Sequence, residues 1–518
     1  MIDEESIETP GLEVVSMSHT PAISRSLNAR HITMIAIGGT VGTGLFIGVA
    51  QTLRTGPVTA LVAYFFISTI CYSVVQSFGE MVVHLPVNGS LCQFNNRFLS
   101  PNFGSSIGLL YWFSWSMTFA LELSIVAQLL TYWQPKIDIG WWIMVVWTLL
   151  TIVNLLPIRF YGEIEFGVSV LKVAAIIMWS CYATYLVSHE SIGFKYWENP
   201  GMWGDGIIYS DSNLPLARSL AWLSSLVNAA FTFQSIESIA ITSGDTENPS
   251  KNIPRAIKTL FFRIIVFYIV TLFLLGLLIP YNDQHLVQHP TGGDSDSYIN
   301  SSPFVVALSL HSNIPNITNI FNLVITVTII SAANSNIYLG SRCLLALAET
   351  NVLPSAIANQ IEKTSRFGGP YVAVLVTSIF GVLAFSVKFN SGTVVFQWFL
   401  NICASAGLIM WACICASHIR FMSAISLDQT FTRDMLVFKG AYMPYAAWYA
   451  LGCICVILIL NGFQVFFNFC WQDFLASYLS LIIFAVLWGW FQYYNGGPLL
   501  IPLDQIDLWT GSDKIHLE

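Results

Sequence analysis

Eight stretches of this chain, 55–79, 98–121, 139–158, 219–236, 264–282, 389–419, 440–472 and 474–503, contain no Asp, Glu, Lys or Arg. Each is close to or longer than the roughly 20 residues with which a helix crosses a bilayer. Only 10 % of the 518 residues are charged and 55 % are hydrophobic, whereas a soluble domain carries about 25 % charge. Such a chain folds in lipid, where the backbone must satisfy its own hydrogen bonds. Length and pattern predict helices near 32–52, 57–83, 105–132, 141–156, 165–187, 219–242, 260–279, 317–346, 371–387, 394–417, 445–467 and 474–494. The expected fold class is therefore an all-α membrane protein of about 12 transmembrane helices.

Loop charge orients these spans, because Lys and Arg accumulate on the cytoplasmic side. With the amino terminus inside, fifteen of the 21 Lys and Arg fall inside and five outside (Arg54, Lys136, Lys195, Arg218 and Lys388), leaving Lys172 within the membrane. Both termini are expected in the cytoplasm: a disordered, lysine-free tail over 1–30, a transmembrane domain over 31–500, and a short tail over 501–518. No cleavable signal peptide is visible, and the first span would direct insertion. The net charge of −8 argues against a nucleic-acid partner, which calls for a basic patch. Cysteines such as Cys413 and Cys453 lie in apolar spans as small hydrophobes. No zinc-type spacing emerges, so neither metal nor cofactor is expected. The sequon at Asn300 falls on the expected outer side and is a glycosylation candidate.

Inside the first span, Gly39-Thr40-Val41-Gly42-Thr43-Gly44 interrupts the apolar run. Each glycine weakens a helix by roughly 1 kcal/mol, and backbone freed at that depth must line a cavity or be buried in protein. Amides at a half-helix amino terminus suit a carboxylate. Equally, Gly44 and Gly48 form a GxxxG pair that lets helices pack closely. The sixth span carries a second polar interruption, Phe231-Thr232-Phe233-Gln234-Ser235-Ile236-Glu237. Two interrupted spans five apart match a five-plus-five inverted repeat with a site between the breaks, and the last two spans would be additions.

Three charges lie deep in spans: Glu122, Lys172 and Glu237. A carboxylate near the bilayer centre costs roughly 2.5 kcal/mol or more unless it is paired or faces water. Each acid is a candidate to meet a substrate cation, or a structural pair. Lys172 either stands near unwound backbone, loading and losing a proton, or snorkels to the interface. Asn334, Ser335, Asn336 and Tyr338, with Asn401, Cys403 and Ser405, form polar patches suited to interhelical hydrogen bonds. Phe231, Phe233 and Trp398 fit either the core or a gate. Twelve spans do not fit a seven-helix receptor, no histidine lies mid-span for a membrane-embedded enzyme, and no filter-like repeat supports a channel.

The run His31-Ile32-Thr33-Met34-Ile35-Ala36-Ile37-Gly38-Gly39-Thr40, continuing to Gly44-Leu45-Phe46-Ile47-Gly48, resembles the opening signature of the fungal amino acid permeases of the amino acid-polyamine-organocation superfamily. Further matching segments are Gly79-Glu80-Met81, Tyr161-Gly162-Glu163-Ile164-Glu165-Phe166 leading to Lys172, Glu247-Asn248-Pro249, Ile253-Pro254-Arg255 and Ser331-Ala332-Ala333-Asn334. Within that family the chain is most similar to the permeases for arginine, lysine and histidine, through Ile192-Gly193-Phe194-Lys195-Tyr196-Trp197, Ile279-Pro280-Tyr281-Asn282-Asp283 and Ser417-His418-Ile419-Arg420.

The resemblance implies the inverted-repeat fold of the bacterial leucine transporter and proton-coupled amino acid import at the plasma membrane. By matching position, Gly39, Thr40, Gly42, Thr43 and Gly44 would hold the substrate carboxylate, and the backbone of Phe233, Gln234, Ser235 and Ile236 its amino group. Glu237 or Glu122 would face the substrate cation. Ser114, Glu122 and Cys403 would influence side-chain selection, and Lys172 would replace a sodium ion and serve proton coupling. Two departures bear on substrate: Ser235-Ile236 stands where the basic permeases resemble Gly-Thr, and Cys403 where they carry threonine. The alternatives are a neutral amino acid or polyamine-like cation permease on the same fold, or a nutrient receptor that binds without transporting.

Overall fold

The computed structural model describes residues 41–87, 89–189, 192–198, 202–204, 214–241, 243, 248–283, 286, 302–350, 352–365, 369–389, 392–428, 431–467, 469–510 and 512. Gly39, Thr40 and Asn300 lie outside the described residues. Among the described residues the regular structure is entirely helical. Eight helices are long and apolar enough to cross a membrane. With four shorter ones they make twelve spans in the predicted order. These are α1 Gly44–Leu53, α2 Pro57–His84, α3 Pro101–Trp133, α4 Ile139–Leu155, α5 Ile158–His189 and α6 Leu214–Thr232 with Ser238–Ile241 beyond a break. There follow α7, built from Pro249–Ile264, Ile265–Val270 and Thr271–Leu278, then α8 Ile317–Glu349, α9 Tyr371–Lys388, α10 Gly392–Leu427, α11 Tyr445–Leu460 and α12 Trp471–Asn495.

Local chemistry sets several boundaries. The α1–α2 corner needs Gly56: its φ is 103°, and a Cβ there would stand 2.5 Å from the carbonyl carbon of Trp203. Pro57 then opens α2 at the position where a missing N–H costs nothing. Ser100 caps α3 by accepting from the Phe103 amide at 3.2 Å, and Asp138 caps α4 by accepting from Gly140 at 2.8 Å.

Three short helices join the spans where loops were expected: Ser90–Phe98, Pro303–His311 and Ser355–Ile361. Each is shorter than the ruler used to find spans. The seventh span begins earlier than predicted, because Pro249–Ile264 is an amphipathic helix exposing Lys251, Arg255 and Lys258 before the apolar run starts. The tenth runs on from the predicted 417 to Leu427.

At the centre α3 packs along α8 and α10. Helices α4, α9, α11 and α12 instead turn apolar side chains outward, among them Leu149, Ile379, Ile459 and Val486. In a membrane protein lipid solvates that face, so exposure of this kind costs little. The fold is thus an all-α membrane bundle in which the start of α1, described from Val41, meets the break in α6. They touch across the core five helices apart, as the five-plus-five arrangement requires, with α11 and α12 on the periphery.

The touch is close. A Cβ on Gly44 would lie 2.7 Å from the Cα of Thr232, while Gly48 stands 3.9 Å from the Thr232 hydroxyl. Gly44→Ala should therefore destabilise the protein by about 1–3 kcal/mol, the usual cost of overpacking. Gly452→Ala on α11, which has nothing within 4 Å, should be neutral. Thermal unfolding of the two variants in detergent checks the contrast.

Candidate substrate-binding site

Helix α1 starts from an irregular segment, and its first five residues, Gly44–Gly48, form a π-turn. Such turns loosen the backbone ladder and cluster at functional sites. Two of its carbonyls also accept from side chains of distant elements, the Gly44 carbonyl in addition to the Val49 amide. The Thr232 hydroxyl donates to the Gly44 carbonyl at 3.2 Å and Ser302 to the Phe46 carbonyl at 2.8 Å. Tyr64 on α2 shares a 2.8 Å bond with the Thr232 hydroxyl.

In α6 the ladder ends with the Gln234 amide on the Phe231 carbonyl at 3.1 Å and resumes with the Ser238 amide on the Ser235 carbonyl at 3.1 Å. Among the described residues, the amides of Ser235, Ile236 and Glu237 make no backbone ladder bond. Ser235 turns the corner at φ 76°, a left-handed conformation that costs a residue with a Cβ roughly 1–2 kcal/mol.

The structure brings several sequence-predicted residues together around these breaks. Thr43 donates its hydroxyl to Glu122 Oε2, and a Cβ on Gly42 would meet Glu122 Oε1 at 3.6 Å and Ala332 at 3.4 Å. Gln234 donates to the Cys403 carbonyl at 2.5 Å, while the Cys403 thiol reaches the Ser114 carbonyl at 3.8 Å. Elements α3, α6 and α10 thus meet beside the α6 break. Phe233 is fully buried, 4.6 Å from the ring of Tyr268 and 5.7 Å from that of Tyr64. Ile236 is buried as well.

Glu237 stands apart from this group. Its Oε1 accepts from the Tyr111 hydroxyl at 2.7 Å and its Oε2 from the Trp411 indole at 3.1 Å. Both oxygens are engaged by core donors. Glu122, by contrast, has its one side-chain donor in the glycine segment itself.

Lys172 is fully buried in α5, away from the interface to which a snorkelling side chain would reach. Its ammonium lies 3.4 Å from Glu165 Oε1. The other Glu165 oxygen accepts from Ser331 on α8 at 2.6 Å, and Ser169 reaches Oε1 at 3.5 Å. Glu165 escaped the sequence reading as a site residue, although its spacing was a usable signal. Seven residues before Lys172 are two helical turns, which put both on one face.

A second missed cluster joins segments seen in the sequence only as separate marks of ancestry. Glu80, at the end of α2, accepts from His418 Nε2 at 2.6 Å, Arg433 Nη2 at 2.8 Å and the Gly440 amide at 2.8 Å. It ties α2 to α10 and to the segment beyond it. The polar patch of α8 serves as interhelical glue: Asn334 accepts from Asn154 at 2.7 Å, Ser335 from Tyr161 at 3.1 Å, and Tyr338 stacks on Tyr161 at 4.3 Å.

A bundle of twelve membrane helices, in which the irregular start of α1 meets the break in α6 beside a buried acid, defines a multi-pass membrane protein. The chain matches the amino acid permease family over residues 31–498 and belongs to that family. It is therefore a membrane transport protein and not an enzyme. A lysine-specific permease of Saccharomyces cerevisiae is 44 % identical over 96 % of this chain and 79 % of its own length. A basic amino-acid permease of the same yeast is 45 % identical over 96 % of this chain and 85 % of its own. The solved structure of Mhp1, a nucleobase-cation-symport-1 family transporter, closed with bromovinylhydantoin bound, has 13 % identity and a TM-score of 0.49 over 93 % of this chain and 96 % of that one.

Lys172→Met leaves Glu165 buried without its cation and should destabilise the protein by about 3–5 kcal/mol. Adding Glu165→Gln should recover part of the loss, a non-additivity readable from the melting temperatures of both single variants and the double variant. In the same assay Ser235→Gly should raise stability by about 1 kcal/mol, because glycine adopts the left-handed corner freely. A lower melting temperature for that variant would contradict the strain argument.

Proposed function

We propose that this permease imports amino acids with a cationic side chain by alternating access, coupled to proton entry, across the plasma membrane with both termini inside. The observation that carries the substrate class is Glu122, a buried acid hydrogen-bonded to Thr43 and close to Gly42. The lysine-specific and basic relatives support the same class. In this reading the segment Gly39 to Gly44, with Thr40, Gly42 and Thr43, holds the substrate carboxylate on half-helix amides. The backbone of the α6 break over Phe233, Gln234, Ser235 and Ile236 takes the amino group on its carbonyl oxygens. Glu122 meets the cation, Ser114 and Cys403 border its side chain, and Glu237 holds the inner half of α6 in place. Lys172, held by Glu165 inside α5, stands in the place of a sodium ion and serves proton coupling. Asn300 is the proposed glycosylation site.

A neutral amino acid is the second reading. It is favoured by the burial of Ile236 and Cys403 beside the α6 break, where an isoleucine and a thiol replace more polar groups of the basic relatives. Initial uptake of labelled lysine and of a neutral amino acid in transport-deficient cells, with and without a protonophore, tests both readings. The expected outcome is lysine accumulation that the protonophore abolishes, cut about tenfold or more by Glu122→Gln at equal surface abundance. Lysine uptake unchanged in Glu122→Gln would overturn the role given to that residue. Accumulation of the neutral amino acid alone would establish the second reading.

A further inference from the structure

The helices that converge on the buried breaks also line a separate cavity of about 710 Å³, at the end of the bundle where α1 finishes and α6, α10 and α12 begin. On the proposed orientation this is the outer face. Asn228 on α6 lies one turn before Thr232, or about 6 Å along the helix, and donates to Gln51 on α1 at 3.4 Å. Asn401 on α10 lies two residues before Cys403 and accepts from Gln397 at 3.2 Å. Helices α1, α6 and α10 thus each place an amide in the cavity above the deep site.

Two opposite charges line the same cavity: Arg54, just beyond α1, and Asp473, in the first turn of α12. Among the described residues neither has an ion-pair partner, and they do not pair with each other. The Gln397 carbonyl oxygen is buried with no donor. A polar, water-accessible cleft with separated, unmatched charges is a poor structural device. Lined by low-dielectric walls, it focuses field on a ligand of complementary charge.

We infer that this cavity is a loading subsite for an amino acid zwitterion with a cationic side chain. Arg54 receives the α-carboxylate, in the forked geometry that guanidinium offers. Asp473 receives the side-chain cation, and Trp398 flanks it. Helices α11 and α12, outside the repeat, gain a function by closing one wall of the cavity, through Asn461 and Asp473. This inference rests on the proposed amino acid import and deepens it.

The test is the concentration dependence of initial uptake, normalised to surface copies, for labelled lysine and labelled arginine, with citrulline as an uncharged competitor. Asp473→Asn should raise the KM for both cationic substrates about fivefold, a typical loss for one partly exposed charge contact. Vmax and the inhibition constant of citrulline should not change. Arg54→Gln should weaken lysine and citrulline alike, because both carry the α-carboxylate. Asp473→Glu and Arg54→Lys should restore most of the affinity, which a purely packing role would not allow. Unchanged KM values in Asp473→Asn and Arg54→Gln, or equal impairment in the charge-conserving pair, would overturn the subsite and leave amino acid import standing. Absence of any amino acid uptake by the unaltered protein would overturn the import reading and the subsite with it.

Discussion

The contact between Gly44 and Thr232 is the constraint on which the rest of the bundle depends. An interrupted helix inside hydrocarbon exposes backbone groups that lipid cannot satisfy, so one interruption must be covered by protein. Here the cover is the end of the outer half of α6. Its Thr232 hydroxyl reaches the Gly44 carbonyl while its backbone fills the space a side chain at Gly44 would need. Ser302, at the entry to the short helix Pro303–His311, closes the next exposed carbonyl. That short helix has a structural task that its loop position in the sequence does not suggest.

The same segment resolves the ambiguity between packing and binding by using two faces. Residues two apart on a helix differ by about 200° in direction, so Gly44 and Gly42 look opposite ways as the chain enters α1. Gly44 looks to Thr232, and Gly42 to Glu122 and Ala332. Packing on one side fixes the position of the other. The glycine required for close helix approach and the glycine proposed to face substrate are therefore parts of one device.

Much of this was legible because anomalies in an apolar chain are conspicuous. Glu122, Lys172 and Glu237 stood out as isolated charges, and the glycine cluster as a flaw in an otherwise regular span. What escaped was pairing across sequence distance. Glu165 stood only within a segment matching the family, and the contacts of Ser331 and Lys172 reveal it as the counter-ion of a buried lysine. Glu80 and His418 lie 338 residues apart in sequence and 2.6 Å apart in space, and nothing in either neighbourhood names the other. The left-handed corner at Ser235 was hidden for another reason. Serine gives no sign of the positive φ that the chain adopts at that point.

The buried acids differ in how completely the protein has already answered them, and that difference separates structure from proposed function. Glu237 has a phenol and an indole on its two oxygens, both from side chains packed in the core. Recruiting it for a substrate cation would leave Tyr111 and Trp411 with unsatisfied donors, a loss of about 1–3 kcal/mol for each. Glu80 is held by three donors, and Glu165 by Lys172 and Ser331. Glu122 leans on a single side-chain hydroxyl from a residue already at the end of an interrupted helix. An incoming ammonium or guanidinium group there displaces or shares one bond and gains a full charge pair in a site walled off from water, where such pairs are strongest. The acid with the least finished environment is therefore the one best placed to meet a mobile cation.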